Sequence, residues 1–211
     1  MLRRRERGDT LIEVLFAVSV FSFVVVTALT IMNQGTAASQ RSLEITLVRQ
    51  QIDAQAETLR FMHDSYVAAY RTGITYNLSD GAGNTSPAEE WFAMAKDSTS
   101  SKVASDFSVG ATCPSSAPTG SFILDTKNVV YKKSATSYAL SNTWAQIQYD
   151  KDGVFTGSKG MWIEAIRSAA GDANQANTRY IDFHIRACWS SVGVSVPSTQ
   201  GTIVRLYEPR G

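Results

Sequence analysis

A run of 22 residues from Leu11 to Met32 carries one charge, Glu13, and constrains this chain more than any other feature. About 20 apolar residues in a helix cross the ~30 Å hydrocarbon layer of a bilayer. A helix is also the only open segment that satisfies its own backbone groups in lipid. The run therefore reads as a membrane anchor. Ahead of it stands Met1 to Arg7, MLRRRER, with four arginines and one glutamate. Such basic flanks stay in the cytoplasm, which sends everything after Met32 to the outside. A secretory signal peptide would have a shorter apolar core of ~7–15 residues and a small-residue cleavage site. Here no further charge appears until Arg41. Neither proline nor glycine interrupts Asp9 to Gln34, so the helix is expected to be continuous at least to Gly35.

Glu13 needs a separate explanation. A carboxylate in a membrane span costs about 2.5–3.5 kcal/mol at the centre and less near the interface. One local account is a capping box, Thr10-Leu11-Ile12-Glu13, in which Glu13 bonds back to a free amide at the helix start. A plain signal-anchor gives Glu13 no other use.

The segment Arg7-Gly8-Asp9-Thr10-Leu11-Ile12-Glu13-Val14-Leu15 resembles the N-terminal motif of type IV prepilins and type II secretion pseudopilins. That motif is a short basic leader ending in glycine, four residues, then glutamate and an apolar helix. The resemblance covers about residues 1–40. It implies that a prepilin peptidase cuts between Gly8 and Asp9 on the cytoplasmic side, with N-methylation of the new terminus at Asp9. Glu13 would then be the fifth residue of the mature chain and would act in filament assembly. Where the family usually begins with Phe or Met, this chain would begin with Asp9. The I-E-V-L-x-A form of the motif resembles that of minor pilins of the V class and of the corresponding secretion pseudopilins. The implied partners are prepilin peptidase, other pilins or pseudopilins through the N-terminal helix, the inner-membrane assembly platform, and the lipid bilayer before assembly.

Beyond Gly35 the pattern becomes amphipathic. Ile45, Val48, Ile52, Ala56, Leu59, Met62, Tyr66 and Ala69 follow steps of three and four, one stripe of a helix. Arg41, Glu44, Arg49, Gln50, Asp53, Glu57, Arg60 and Asp64 supply the wet side. A helix from about Thr10 to Tyr70 would be ~90 Å long. Residues 73–120 read as a connecting loop region, with a turn cluster at Asp80 to Asn84 and a short helix over Ala88 to Lys96. From Ser121 onward the period is two. Strands are expected at Ser121–Leu124, Val129–Tyr131, Ser137–Leu140, Ala145–Tyr149, Trp162–Ile166, Tyr180–Trp189 and Thr202–Tyr207. In Tyr180–Trp189, Ile181, Phe183, Ile185, Ala187 and Trp189 share one face, and Asp182, His184 and Arg186 the other. The expected fold is α+β, with an antiparallel β-sheet head (121–211) packed by its apolar face on the helix stripe. The division is then leader 1–8, anchor or filament-core helix 9–34, amphipathic continuation 35–72, connecting region 73–120 and head. A pilin head has this layout.

Cys113 and Cys188 lie in the exported part, where an oxidising compartment permits a disulfide. A bridge closing a loop of this length is worth ~4 kcal/mol in the entropy model. Two buried free thiols are the alternative. The resemblance adds weight to the bridge, because many pilin heads brace their C-terminal region with one.

Catalytic, metal and cofactor signals are weak. No G-x-S-x-G occurs, and neither His63 nor His184 has a nucleophile beside it in sequence. Asp150-Lys151-Asp152-Gly153 fails the EF-hand ligand pattern and reads as a turn between strands. Asn77-Leu78-Ser79 and Asn84-Thr85-Ser86 match the glycosylation sequon and read as chance matches. The leader holds four of the 20 basic and one of the 19 acidic side chains, which leaves 16 and 18, about −2. Bulk nucleic-acid binding is not expected at that charge. Lys127, Lys132 and Lys133 near Tyr131 read as a solvated sheet edge.

The expectation is thus a non-enzymatic minor subunit of a type IV pilus or related pseudopilus. It would be single-pass, with the N-terminus cytoplasmic and the head extracytoplasmic, and would reach the cell surface after assembly. The alternative is a bitopic, signal-anchored extracellular binding protein that never enters a filament.

Overall fold

The computed structural model describes residues 9–72, 86–97, 99–100, 113–133, 138–167 and 180–209. The leader, the turn cluster at 80–84, both sequons' asparagines and Ser137 lie outside the described residues, as do the side chains of Lys132 and Lys133. The chain falls into two compact units, Met1–Ser42 and Leu43–Gly211.

One helix, α1 (Asp9–Arg71), passes through the boundary. Its first part, in the N-terminal unit, has the uninterrupted run of helix-compatible apolar residues that the sequence promised. Gly35 does not break it; a Cβ there would meet nothing within 4 Å. In the second unit the helix buries one stripe. Val48, Leu59 and Met62 are fully buried and Ile52 and Ala56 nearly so, whereas Ile45 is 41% exposed. Gln55 and Thr58 join the buried face although neither is apolar.

The connecting region contains a second helix, α2 (Pro87–Asp97), as the sequence suggested. Its start is a capping box. The backbone N–H of Glu89 donates to Ser86 Oγ at 3.3 Å, and the Ser86 N–H donates back to Glu89 Oε2 at 3.2 Å. Pro87 occupies the first helical position, where its missing N–H is harmless. Trp91, Met94 and Ala95 of α2 enter the same core as the α1 stripe.

The strands are β1 (Thr99–Ser100), β2 (Phe122–Asp125), β3 (Val130–Lys133), β4 (Tyr138–Ala139), β5 (Gln146–Tyr149), β6 (Phe155–Lys159), β7 (Met161–Arg167), β8 (Tyr180–Trp189) and β9 (Ser198–Tyr207). They form two sheets where a single one was expected. The larger runs β3-β2-β7-β8-β9 with β1 added to β7, and the smaller runs β4-β6-β5. Most pairings are antiparallel, as expected, but β1–β7 and β4–β6 are parallel. The second follows from the β5–β6 hairpin, which turns the chain back into the direction of β4. β6 was not foreseen: Phe155-Thr-Gly-Ser-Lys has a glycine and little apolar alternation, and pairing with β5 makes it a strand.

β8 alternates as its sequence implies. Ile181, Phe183, Ile185, Ala187 and Trp189 are all 2% exposed or less and face the core with the α1 stripe. Gly160 joins the sheets. Its N–H donates to Ala139 O at 2.8 Å, and its carbonyl accepts from the Cys188 N–H at 2.7 Å. It adopts φ +60, and a Cβ would lie 2.1 Å from Cys188 O, so only glycine fits.

Candidate functional site

Among the described residues one helix is long and apolar enough to cross a membrane. Between Leu11 and Met32 its large apolar side chains project outward on every side, with Leu11, Phe16, Phe23 and Ile31 between 64% and 75% exposed. Such a sleeve is unstable in water and suits lipid or other apolar helices. The hydroxyls are satisfied within the helix. Ser19 donates to Leu15 O, Ser22 to Val18 O, Thr27 to Phe23 O and Thr30 to Val26 O, all at 2.7–2.9 Å. Each therefore enters an apolar medium with its donor already bonded.

Glu13 is the exception. Its side chain is exposed on α1. Helical neighbours three and four residues away are Asp9, Thr10, Phe16 and Ala17, none of them basic. Both Asp9 and Thr10 belong to α1. Asp9 opens the described helix; Gly8 lies just outside the described residues.

In the head, Cys113 and Cys188 are bonded, with Cα atoms 5.5 Å apart. The bridge fastens the segment before β2 to the outer face of β8. Tyr138 reinforces it, donating its hydroxyl to Pro114 O at 3.2 Å and meeting the Trp162 ring edge-on. Burial pushes the Tyr138 hydroxyl pKa up to about 12.

His63 is half-buried on α1. Its Nε2 pairs with Tyr207 O at 2.8 Å, and its ring meets Trp91 edge-on. That commits the ring to packing. His184 lies mid-strand in β8, opposite Glu164 and Ile203. Asp150 makes the expected turn between β5 and β6, its carboxylate accepting the N–H groups of Asp152 and Val154 at 2.9 and 2.8 Å. Lys127 lies 4.1 Å over the Tyr149 ring.

Two features went unread in sequence. Tyr66, Tyr70, Trp91 and Phe92 line an open cleft of about 320 Å³, closed at one side by Lys96 and by the Arg167–Glu208 ion pair at 2.6 Å. Tyr66 and Tyr70 are an i,i+4 aromatic pair, the one signal that could have pointed to it. Glu44, assigned to the wet face, instead accepts from Trp189 Nε1 at 3.1 Å and from the Ser191 hydroxyl. No protein-family model matches the chain, and no curated protein or solved structure is significantly similar to it.

Proposed function

We propose that this chain is a minor, accessory subunit of a type IV pilus or related pseudopilus. Prepilin peptidase cuts it between Gly8 and Asp9, and it assembles through its N-terminal helix. The observation that carries the reading is Glu13: an exposed carboxylate five residues after Gly8, on an outward-facing apolar stretch of helix with no basic residue three or four positions away in sequence. The apolar sleeve with self-satisfied hydroxyls and the α+β head that follows support the same reading.

Cleavage creates an α-amino group at Asp9, charged at neutral pH. When apolar stems pack together, Glu13 loses water, and the terminus of a neighbouring subunit is the counter-charge within reach. Pairing offsets a desolvation penalty of several kcal/mol and sets axial register, since other offsets leave both charges unpaired. The carboxylate of Asp9 beside that amine favours a neighbour whose approach avoids it. The head stays outside the membrane and, after assembly, at the cell surface.

The test compares Glu13→Ala and Glu13→Gln in cells with an active assembly machine. Both variants should insert and show Asp9 as N-terminus by mass spectrometry, and neither should appear in sheared filaments. Normal incorporation of both would sink the filament reading and leave the plain signal-anchor.

A further inference from the structure

β9 is the end strand of the larger sheet and pairs with β8 without a break in register, from Tyr180↔Tyr207 to Trp189↔Ser198. In an antiparallel pair every second residue points its N–H and C=O away from the partner strand. Half of the β9 backbone is therefore aimed outward. Among the described residues, the one bond that a β9 backbone group makes outside this ladder is that of Tyr207 O with His63. The side chains leave the edge open as well. Thr199, Gly201, Ile203, Arg205 and Tyr207 alternate along the face turned from the core and are all exposed, Ile203 at 60% and Tyr207 at 54%.

An open edge of this kind is a template for pairing with another chain, and proteins ordinarily blunt it with lysine, proline, a bulge or brevity. The opposite end of the same sheet is blunted in that way. β3 has four residues and ends on Lys132 and Lys133. α2 also closes it, because the Tyr131 N–H donates to Glu90 Oε2 at 2.8 Å. β9 has ten residues, with no lysine, proline or bulge among them. Its single charge, Arg205, is already answered. Nε and Nη2 donate to the two Asp182 carboxylate oxygens at 2.7 and 2.8 Å, and the guanidinium lies 4.0 Å over the Tyr180 ring.

We propose that the β9 edge is a docking site for an extended strand of another protein, which adds itself to the six-stranded sheet through main-chain hydrogen bonds. The chemistry of the edge identifies the occupant. A row of outward N–H and C=O groups at every second residue is matched by a second extended backbone, whereas lipid or a flat apolar surface would leave those groups unpaired. Ile203 and Tyr207 call for apolar side chains at alternate positions of the incoming strand, and the neutralised Arg205 calls for no charge opposite it. Docking there involves the head alone and is independent of the filament reading.

The experiment uses the full chain in detergent micelles, with amide hydrogen exchange followed residue by residue by NMR. The probe is an alternating Val-Thr peptide of the length of β9, flanked by lysines for solubility. Its control is the same peptide N-methylated at adjacent central residues, which blocks both of its edges. Without peptide, every second amide from Ser198 to Tyr207 should exchange quickly while its neighbours, bonded to β8, exchange slowly. At about ten times its Kd the probe should slow the fast amides about tenfold, since exchange then proceeds only from the unbound fraction. The N-methylated control should leave them fast. Equal slowing by the control would overturn main-chain docking. So would fast exchange that is unchanged at ~1 mM probe. Slow exchange of every β9 amide before any peptide is added would mean that a second copy already holds the edge, and would overturn the proposal as well. None of these outcomes bears on Glu13.

Discussion

Gln55 offers the sharpest test of how the helix holds the sheet. It is fully buried on α1, and its amide pairs with both backbone groups of one β2 residue. Leu124 N–H donates to Gln55 Oε1 at 3.0 Å, and Gln55 Nε2 donates to Leu124 O at 2.8 Å. These groups are available because β2 pairs with β7 only at Phe122↔Ile163, while its other edge is taken by β3. Gln55 thus stands in for the missing stretch of β7. Gln55→Leu would leave a buried N–H and a buried C=O unpaired, at about 1–3 kcal/mol each. The extra apolar burial offsets roughly 1–2 kcal/mol. With the middle of each range, the expected net loss is about 2.5 kcal/mol, or roughly 5–10 °C in Tm for a chain of this size. Near-UV circular dichroism melts in detergent would measure it. Gln50→Leu, at an exposed position on the same helix, is the control and should shift stability by no more than about 0.5 kcal/mol. Equal melting temperatures for the two variants would refute the strand-surrogate role.

Three further outcomes follow from the head. Reduction of the Cys113–Cys188 bridge, which spans 75 residues, should lower stability by ~4 kcal/mol in urea titrations; thiol labelling of the unfolded, unreduced protein would show instead that the cysteines are free. Gly160→Ala should cost about 3 kcal/mol, because the new methyl meets the Cys188 carbonyl and φ +60 suits only glycine; a loss under 1 kcal/mol by denaturant midpoint would contradict the packing. The Tyr138 hydroxyl keeps its proton to about pH 12 in the folded state but to about 10 when unfolded, so its contribution is full below pH 10 and is lost as pH rises toward 12. Tyr138→Phe should therefore flatten the alkaline decline between pH 10 and 12, and an unchanged slope of urea midpoint against pH would argue against its burial.

Glu44 and the cleft show how differently the two helix faces are used. An acidic side chain at the edge of the apolar stripe is ordinarily solvated, yet Glu44 gathers Trp189 and Ser191. Two aromatics one turn apart become useful only when α2 brings Trp91 and Phe92 to Tyr66, at ring separations of 6.5 and 6.4 Å.

Local sequence determined the elements whose signal is repeated many times. The apolar run and the three-and-four spacing after it determine α1, because neither glycine nor proline interrupts the run, an apolar segment of that length satisfies its own backbone only as a helix, and the buried stripe after it follows one helical face. Strict alternation did the same for β8, and Ser86-Pro87-Ala88-Glu89 for the start of α2. Tertiary structure decided whatever depends on a partner distant in the chain. β9 begins at Ser198, not Thr202, because Thr199, Gln200 and Gly201 find Cys188, Ala187 and Arg186 across the ladder. β6 exists because β5 and β4 flank it, and Gln55 is buried because β7 leaves β2 incomplete. The cysteines meet for the same reason: β8 brings Cys188 beside Gly160, while Cys113 approaches from a segment whose sequence gives no direction. A backbone hydrogen bond or a disulfide is chosen by which group arrives opposite, and residue type alone does not contain that information.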